Sequence, residues 1–235
     1  MSQLHNAIDI SMRVQIRRLD EVFRSREAFS DTRIDTPFAL RLDGVRFGRV
    51  LADFKPRSFE VHKALLTAAI NIMEELGCCC SYVVSDEINV LCLDYVAYGG
   101  RVEKLVSISA SIAGATVSTA LGRRLFFDSR IIALKSDTEV SKYILYRARV
   151  GLNNFVSEIF HRVTGFKHTP PLNSMITALR SLGINIYREE LWKVVGTSVV
   201  KKLRIRAGDR LGWSYEVYPG FIDAIICSLT HLSIG

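Results

Sequence analysis

The sequence predicts an α+β domain, and three observations carry that prediction. Short β-rich runs alternate with long segments of helical periodicity. The breaks between them fall on Gly, Pro and polar dipeptides. The chain has 235 residues, 49% hydrophobic and 23% charged, which suits one compact domain with a small appendage.

The elements follow in order. Ile10 to Arg26 places Met12, Ile16, Leu19, Val22 and Phe23 at helical spacing. Asp31 to Pro37 reads as a turn, and Phe38 to Leu42 as a short strand ending at Asp43-Gly44. Pro56-Arg57-Ser58 marks a helix start, with Ser58 as N-cap; the helix stops at Gly77. Cys78 to Val84 and Ile88 to Leu93 are the arms of a hairpin with Ser85-Asp86-Glu87 at its tip. Gly99-Gly100 precedes a helix from Val102 to Leu121. A strand over Leu125 to Leu134 and a long helix over Thr138 to Val163 follow. The order is β-α-β-β-α-β, the ferredoxin-like arrangement.

Additional C-terminal helices and a strand complete the reading. Pro170-Pro171 opens a helix to Leu182, a short helix covers Arg188 to Val195, and Val199 to Arg206 forms a strand before a turn at Gly208-Asp209. The apolar end from Phe221 packs back on the body. Three regions result: an N-terminal helical segment (1–36), a catalytic region (37–165) and a C-terminal extension (166–235) packed on it.

Composition narrows the partners. The formal charge of +7 and a pI near 9.3 favour a polyanionic partner, either nucleic acid or an acidic membrane surface. The five cysteines form no CxxC pair and the histidines no HxxxH spacing, which argues against zinc and predicts reduced thiols in an apolar core. Residues 1–10 lack the pattern of a signal peptide. The charge-free run Leu105 to Gly122 is rich in Ser and Thr and reads as a buried helix packed through small residues, not a membrane span. A cytoplasmic protein is expected. Trp192 and Trp213 are expected in the core.

The chemistry lies in two carboxylates. In the ferredoxin-like order the first strand and the hairpin lie side by side at the sheet centre. Asp43 ends that strand and Asp86 sits at the hairpin tip, so the two converge. Alone, Asp-Gly and Ser-Asp-Glu are ordinary turn signals; their joint placement selects a polymerase-like palm. Paired carboxylates suit two Mg²⁺ ions acting on a phosphoryl group. Gly44 lets backbone approach a metal or a triphosphate. Glu87 is expected on the opposite face, in a supporting role.

The segment Arg41-Leu42-Asp43-Gly44-Val45-Arg46-Phe47 resembles an R-x-D-G-x-x-F motif, and Ser85-Asp86-Glu87 an S-D-E tip. Phe54-Lys55-Pro56, Lys104-Leu105-Val106-Ser107, Phe127-Asp128-Ser129-Arg130, Tyr146-Arg147 with Asn154, and Gly196-Thr197 with Lys201 and Lys202 resemble further motifs in the same order. Together they resemble the tRNA(His) guanylyltransferases and their archaeal and bacterial relatives, the Thg1-like 3′–5′ polymerases, over about Phe38 to Lys202. Ala148 and Val150 depart from that pattern, and Gly151-Leu152 stand where eukaryotic members carry His-Ile.

The resemblance implies template-dependent nucleotide addition to a tRNA 5′ end, as 5′-end repair or guanylylation, with ATP and GTP as substrates. It implies Mg²⁺ at Asp43, Gly44 and Asp86, with Glu87 beside them. Nucleotide contacts are implied for the motif residues Arg41, Val45, Arg46, Phe47 and Ser85, and for Lys55, Lys104, Ser107 and Arg130. RNA contacts are implied for Arg147 and Asn154, and the basic residues Lys201, Lys202 and Arg204 either track an RNA backbone or guard a solvated edge. Relatives imply a homo-oligomer, dimer or tetramer. The alternatives are a palm-type nucleotidyl cyclase and a non-catalytic tRNA-binding protein.

Overall fold

The computed structural model describes residues 3–54, 57–206 and 210–230. Lys55, Pro56, the turn at Gly208-Asp209 and the last five residues lie outside the described residues. The chain divides into two compact units, Met1–Thr32 and Arg33–Gly235.

The first unit holds two helices, α1 (Gln3–Met12) and α2 (Ile16–Arg24). The sequence predicts one continuous helix here. Instead the chain closes with i→i−3 bonds, Arg13 N to Ile10 O and Val14 N to Ser11 O, and restarts. Neither helix buries a residue, so packing does not stabilise a longer one, and β-branched Ile10, Val14 and Ile16 lower its propensity.

The second unit runs β1 (Phe38–Gly44), α3 (Phe47–Val50), α4 (Phe59–Leu76), β2 (Cys80–Val84), β3 (Glu87–Cys92), α5 (Val102–Leu121), β4 (Phe127–Ala133), α6 (Asp137–Thr164), α7 (Leu172–Ser181), α8 (Leu191–Val195), β5 (Thr197–Arg206), β6 (Arg210–Pro219) and α9 (Ile222–Thr230). Local chemistry sets the long helices. The Ser58 hydroxyl caps α4 by accepting from Glu60 N, and Gly77 ends it in the left-handed conformation. Ser136 caps α6 by accepting from Glu139 N, and Gly165 ends it.

One antiparallel sheet has the order β4-β1-β3-β2-β5-β6. The first four strands are the ferredoxin-like core. Leu40, Leu42, Ile88 and Val90 face α4 and α5, packing with Leu65, Ile72, Leu105 and Val117. The other face carries Ala39, Tyr82 and Leu91 against Val140, Ile144 and Ala148 of α6 and Ala224 of α9. A third cluster joins Phe155 and Phe160 of α6 to Met175 and Leu179 of α7.

Three expectations change. The α5 helix buries only the stripe Leu105, Ser109, Ala113 and Val117, because it covers an edge of the sheet and not its centre. The sequence reading assigns no strand to β6, although Leu211, Trp213, Tyr215 and Val217 alternate there; as an edge strand it leaves Trp213 48% exposed instead of in the core. The cysteines are not all reduced thiols: Cys78 pairs with Cys92 and Cys80 with Cys227. The hairpin brings the first pair together, and α9 lays Cys227 on β2. Cys79 remains free, its thiol pushed up to about 12 by burial.

Candidate active site

A row of carboxylates forms where three strands end together. The register partners of Asp43 are Glu87 on β3 and Asp128 on β4. Lateral partners in a sheet share a face, so all three carboxyl groups leave the same side. Asp86 adds a fourth from the two-residue turn between β2 and β3. Gly44 N–H donates to the Asp86 carbonyl at 3.3 Å, tying the tip to the end of β1. Ser85 makes the turn possible with a φ of 59°.

Burial, then the negative charges of Asp86, Glu87 and Asp128, raise Asp43 above the usual carboxylate range; Arg41 opposes them. Glu87 therefore shares the face of Asp43, contrary to the sequence expectation. Alternation of faces holds only along extended backbone, and Asp86 is in the turn. Asp128 belongs to the same row, which the F-D-S-R motif already hinted at.

Behind the row lies a buried polar network. Arg147 of α6 donates from Nε to Glu87 Oε1 at 2.8 Å and from a terminal nitrogen to Oε2. Asn89 Nδ2 donates to Glu87 Oε1 at 2.8 Å, and the Tyr143 hydroxyl donates to Asn89 Oδ1 at 2.5 Å. Arg41 Nε stands 3.8 Å from Glu87 Oε2. Arg147 is buried in this network, rather than presented outward to RNA as the sequence reading has it. Asn154 faces the same cleft of about 80 Å³ as Asp43, Asp86 and Glu87.

A second cavity of about 220 Å³ opens on the other side of the tip. Ser85 and Asp86 form one wall, and Phe47, Phe54, Arg57, His62 and Trp192 line the rest. Arg57 donates to the Lys193 carbonyl at 3.2 Å and lies over the Phe155 ring. His62 shares a hydrogen bond with Thr197 Oγ1 at 2.8 Å and stacks on Trp192. Trp192 is thus a cavity wall. Sequence reasoning named neither Arg57 nor His62 as a site residue; Arg57 beside the F-x-K-P stretch was the available signal.

His62 also carries a pH dependence. Burial, then the Arg57 cation, lowers it to about 4. The unfolded chain takes up this proton below about pH 6.5, whereas the folded protein refuses it until about 4. Stability therefore falls as pH drops through that window, by about 2 kcal/mol between pH 7 and 5. Urea unfolding at both pH values should show this loss in the wild type and a smaller one in His62→Gln. Equal slopes would exclude His62 as the cause.

Other assigned residues are distributed as follows. Phe47 is buried, its ring edge-on to Phe127, and a Cβ at Gly44 would strike it at 2.4 Å. Val45 N–H donates to Phe126 O, and Arg46 is exposed. Arg130 is exposed on an edge strand and paired with Asp128, not buried. Lys104 and Ser107 occupy the first turns of α5. That start neighbours Gly100, which bonds Ile34 ahead of β1, and Lys104 lies over the Tyr98 ring, so Lys104 sits away from Asp43. Neither Lys104 nor Ser107 lines the cleft that holds the carboxylates. Lys201 lies over the Trp213 ring, and Lys202 and Arg204 pair with Glu216 on the β5–β6 ribbon.

Comparison with known proteins is consistent with this geometry. The family model described as tRNAHis guanylyltransferase matches residues 20–150. A search of curated proteins finds no match. Among solved structures, a bacterial tRNA(His) guanylyltransferase (Thg1)-like protein in complex with ATP superposes with a TM-score of 0.73 at 22% identity, covering 84% of this chain and 90% of that one. The GTP complex of a bacterial Thg1-like protein gives 0.70 at 22% identity, covering 84% and 89%. The tRNA(His) guanylyltransferase of Saccharomyces cerevisiae gives 0.61 at 18%, covering 77% and 92%. At these identities the likeness is one of fold.

Proposed function

Because the chain belongs to the tRNAHis guanylyltransferase family, and so to the nucleotidyltransferases, we propose that it adds nucleotides in the 3′–5′ direction to the 5′ end of a tRNA, with ATP and GTP as substrates. The observation that carries this reading is the convergence of Asp43 and Asp86 beside the Gly44 backbone. The donor set fits Mg²⁺. The oxygens are hard, the carboxylates crowd one another, and the resulting upward push on Asp43 is what a cation would relieve. Asp43, Asp86 and the Gly44 carbonyl would hold two ions. When bound, these ions supply charge neutralisation at the phosphoryl group and orient the attacking 3′-hydroxyl.

The chain's own residues do the positioning. The cavity walled by Phe47, Phe54 and Trp192 takes the flat nucleobase and leaves the phosphates at Ser85 and Asp86. Asn154 offers an amide in the cleft on the other side of the tip, where a tRNA end would meet the carboxylates. The basic β5–β6 ribbon supplies the sequence-independent grip on RNA. We assign the protein to the cytoplasm and to a homo-oligomer on the same reading.

Incubation of a 5′-truncated tRNA with labelled GTP, ATP and Mg²⁺ tests it. The expected result is label at the tRNA 5′ end, complementary to the template strand. Cyclic nucleotide in place of labelled tRNA would move the chain to a cyclase activity. tRNA binding without incorporation would mark a non-catalytic binder.

A further inference from the structure

The α6 helix touches the hairpin at the two residues that flank its turn. Val84 and Glu87 are register partners immediately below Ser85-Asp86. On one stripe of α6, Tyr143, Arg147 and Gly151 recur at intervals of four. Arg147 grips both oxygens of Glu87, and Tyr143 reaches the same carboxylate through Asn89. One turn on, Gly151 lies so close to Val84 that a Cβ there would meet Val84 Cγ2 at 2.2 Å. Asn89 Nδ2 also reaches the Tyr82 carbonyl at 3.2 Å, so the network is anchored in the hairpin's backbone.

We propose that Arg147 is a positioning residue. Through Glu87 it holds the hairpin turn where Asp86 meets Asp43, and Gly151 seats the other side of the turn. This rests on the reading of Asp43 and Asp86 as the metal-holding pair. A two-point guanidinium–carboxylate contact fixes direction as well as distance, which a lysine cannot do. Buried ion pairs add little net stability compared with apolar packing. What this one supplies is a single geometry for the strand residue next to Asp86 and lateral to Asp43. It also accounts for glycine at position 151: a side chain there would push α6 off the turn and pull Arg147 with it.

The test measures metal binding directly. Mn²⁺ binding to the intact protein is followed by electron paramagnetic resonance, alongside the Mg²⁺ dependence of 5′-nucleotide addition. Arg147→Met is expected to weaken Mn²⁺ binding by about 10–100-fold, the range for supporting contacts behind metal ligands. It should raise the Mg²⁺ concentration needed for half-maximal 5′-nucleotide addition and leave KM for GTP within about twofold, whereas a loss of folded protein lowers apparent kcat without moving the Mg²⁺ midpoint. Arg147→Lys should fall between wild type and Arg147→Met, and Gly151→Ala should weaken binding in the same direction. Wild-type Mn²⁺ affinity in a folded Arg147→Met protein overturns the proposal. If that variant does not fold, unchanged affinity in both Arg147→Lys and Gly151→Ala overturns it. A wild type that binds Mn²⁺ but adds no nucleotide defeats the activity alone, with the effect of Arg147 still read from Mn²⁺. A wild type that binds no Mn²⁺ defeats both.

Discussion

Asp43→Asn and Asp86→Asn should each lower 5′-nucleotide addition by at least about 10²–10³-fold while leaving a folded protein. Removing one preorganised electrostatic contact to a reacting centre typically costs that much, and here the residues lost would be metal ligands. Opposite changes in stability should accompany the loss of activity. In the metal-free protein, burial and then the negative charges of Asp86, Glu87 and Asp128 disfavour the charged form of Asp43. Converting it to a neutral amide removes that repulsion. Asp43→Asn should therefore melt at a higher temperature than wild type in a chelator. Added Mg²⁺ should then stabilise the wild type and not the variant, since a ligand that binds the folded state in preference to the unfolded one raises its stability. A variant that is less stable than wild type without metal, or that keeps full activity, would show that the carboxylates serve the fold and not the chemistry.

Much of this site could be read from the residues because its determinants are local. The strand ending at Asp43 and the hairpin around Asp86 are set by short β-rich runs and turn dipeptides. Ser58 and Gly77 mark the ends of α4 as N-cap and left-handed C-cap. Strand order then follows from topology, and it places Asp43 opposite Glu87. What could not be read depends on contacts distant in sequence. Arg147 looks like a surface cation until α6 is laid on the sheet and its guanidinium meets Glu87. The face of Glu87 depends on the turn conformation at Ser85-Asp86, where period-two alternation does not apply. Lys104 shares a motif order with the carboxylates yet sits away from Asp43. The break between α1 and α2 has no local breaker such as Pro or Gly; it reflects the absence of a buried face. Motif order therefore located the carboxylate row more reliably than it located each residue's partner.

Opening the bridge between Cys80 and Cys227 should separate stability from chemistry. The bridge links residues 147 apart. Loop-closure entropy at that length gives about 5 kcal/mol, and measured bridges more often give 2–4. Cys227→Ala should thus lower stability by about 2–5 kcal/mol and the melting temperature by roughly 10 °C for a domain of this size. Cys227 is the better position to change. Cys79 Sγ lies 3.6 Å from Cys80 Sγ, and all three sulfurs lie within 4.8 Å of one another. Removing Cys80 would leave Cys79 in reach of Cys227 and able to form a substitute bridge. The α9 helix keeps other anchors: Ala224 N–H donates to Ser198 Oγ, which in turn donates to the Gly220 carbonyl. Docking should therefore survive the substitution at low temperature. Cys80 opens β2 at the end away from the Ser85-Asp86 turn, so the carboxylate row does not depend on it. At 25 °C, 5′-nucleotide addition by Cys227→Ala should stay within about twofold of wild type. Thermal unfolding of wild type and Cys227→Ala side by side checks the first part. Equal midpoints would remove the bridge from the stability of the fold. A large loss of activity at 25 °C would instead couple α9 to the site through β2.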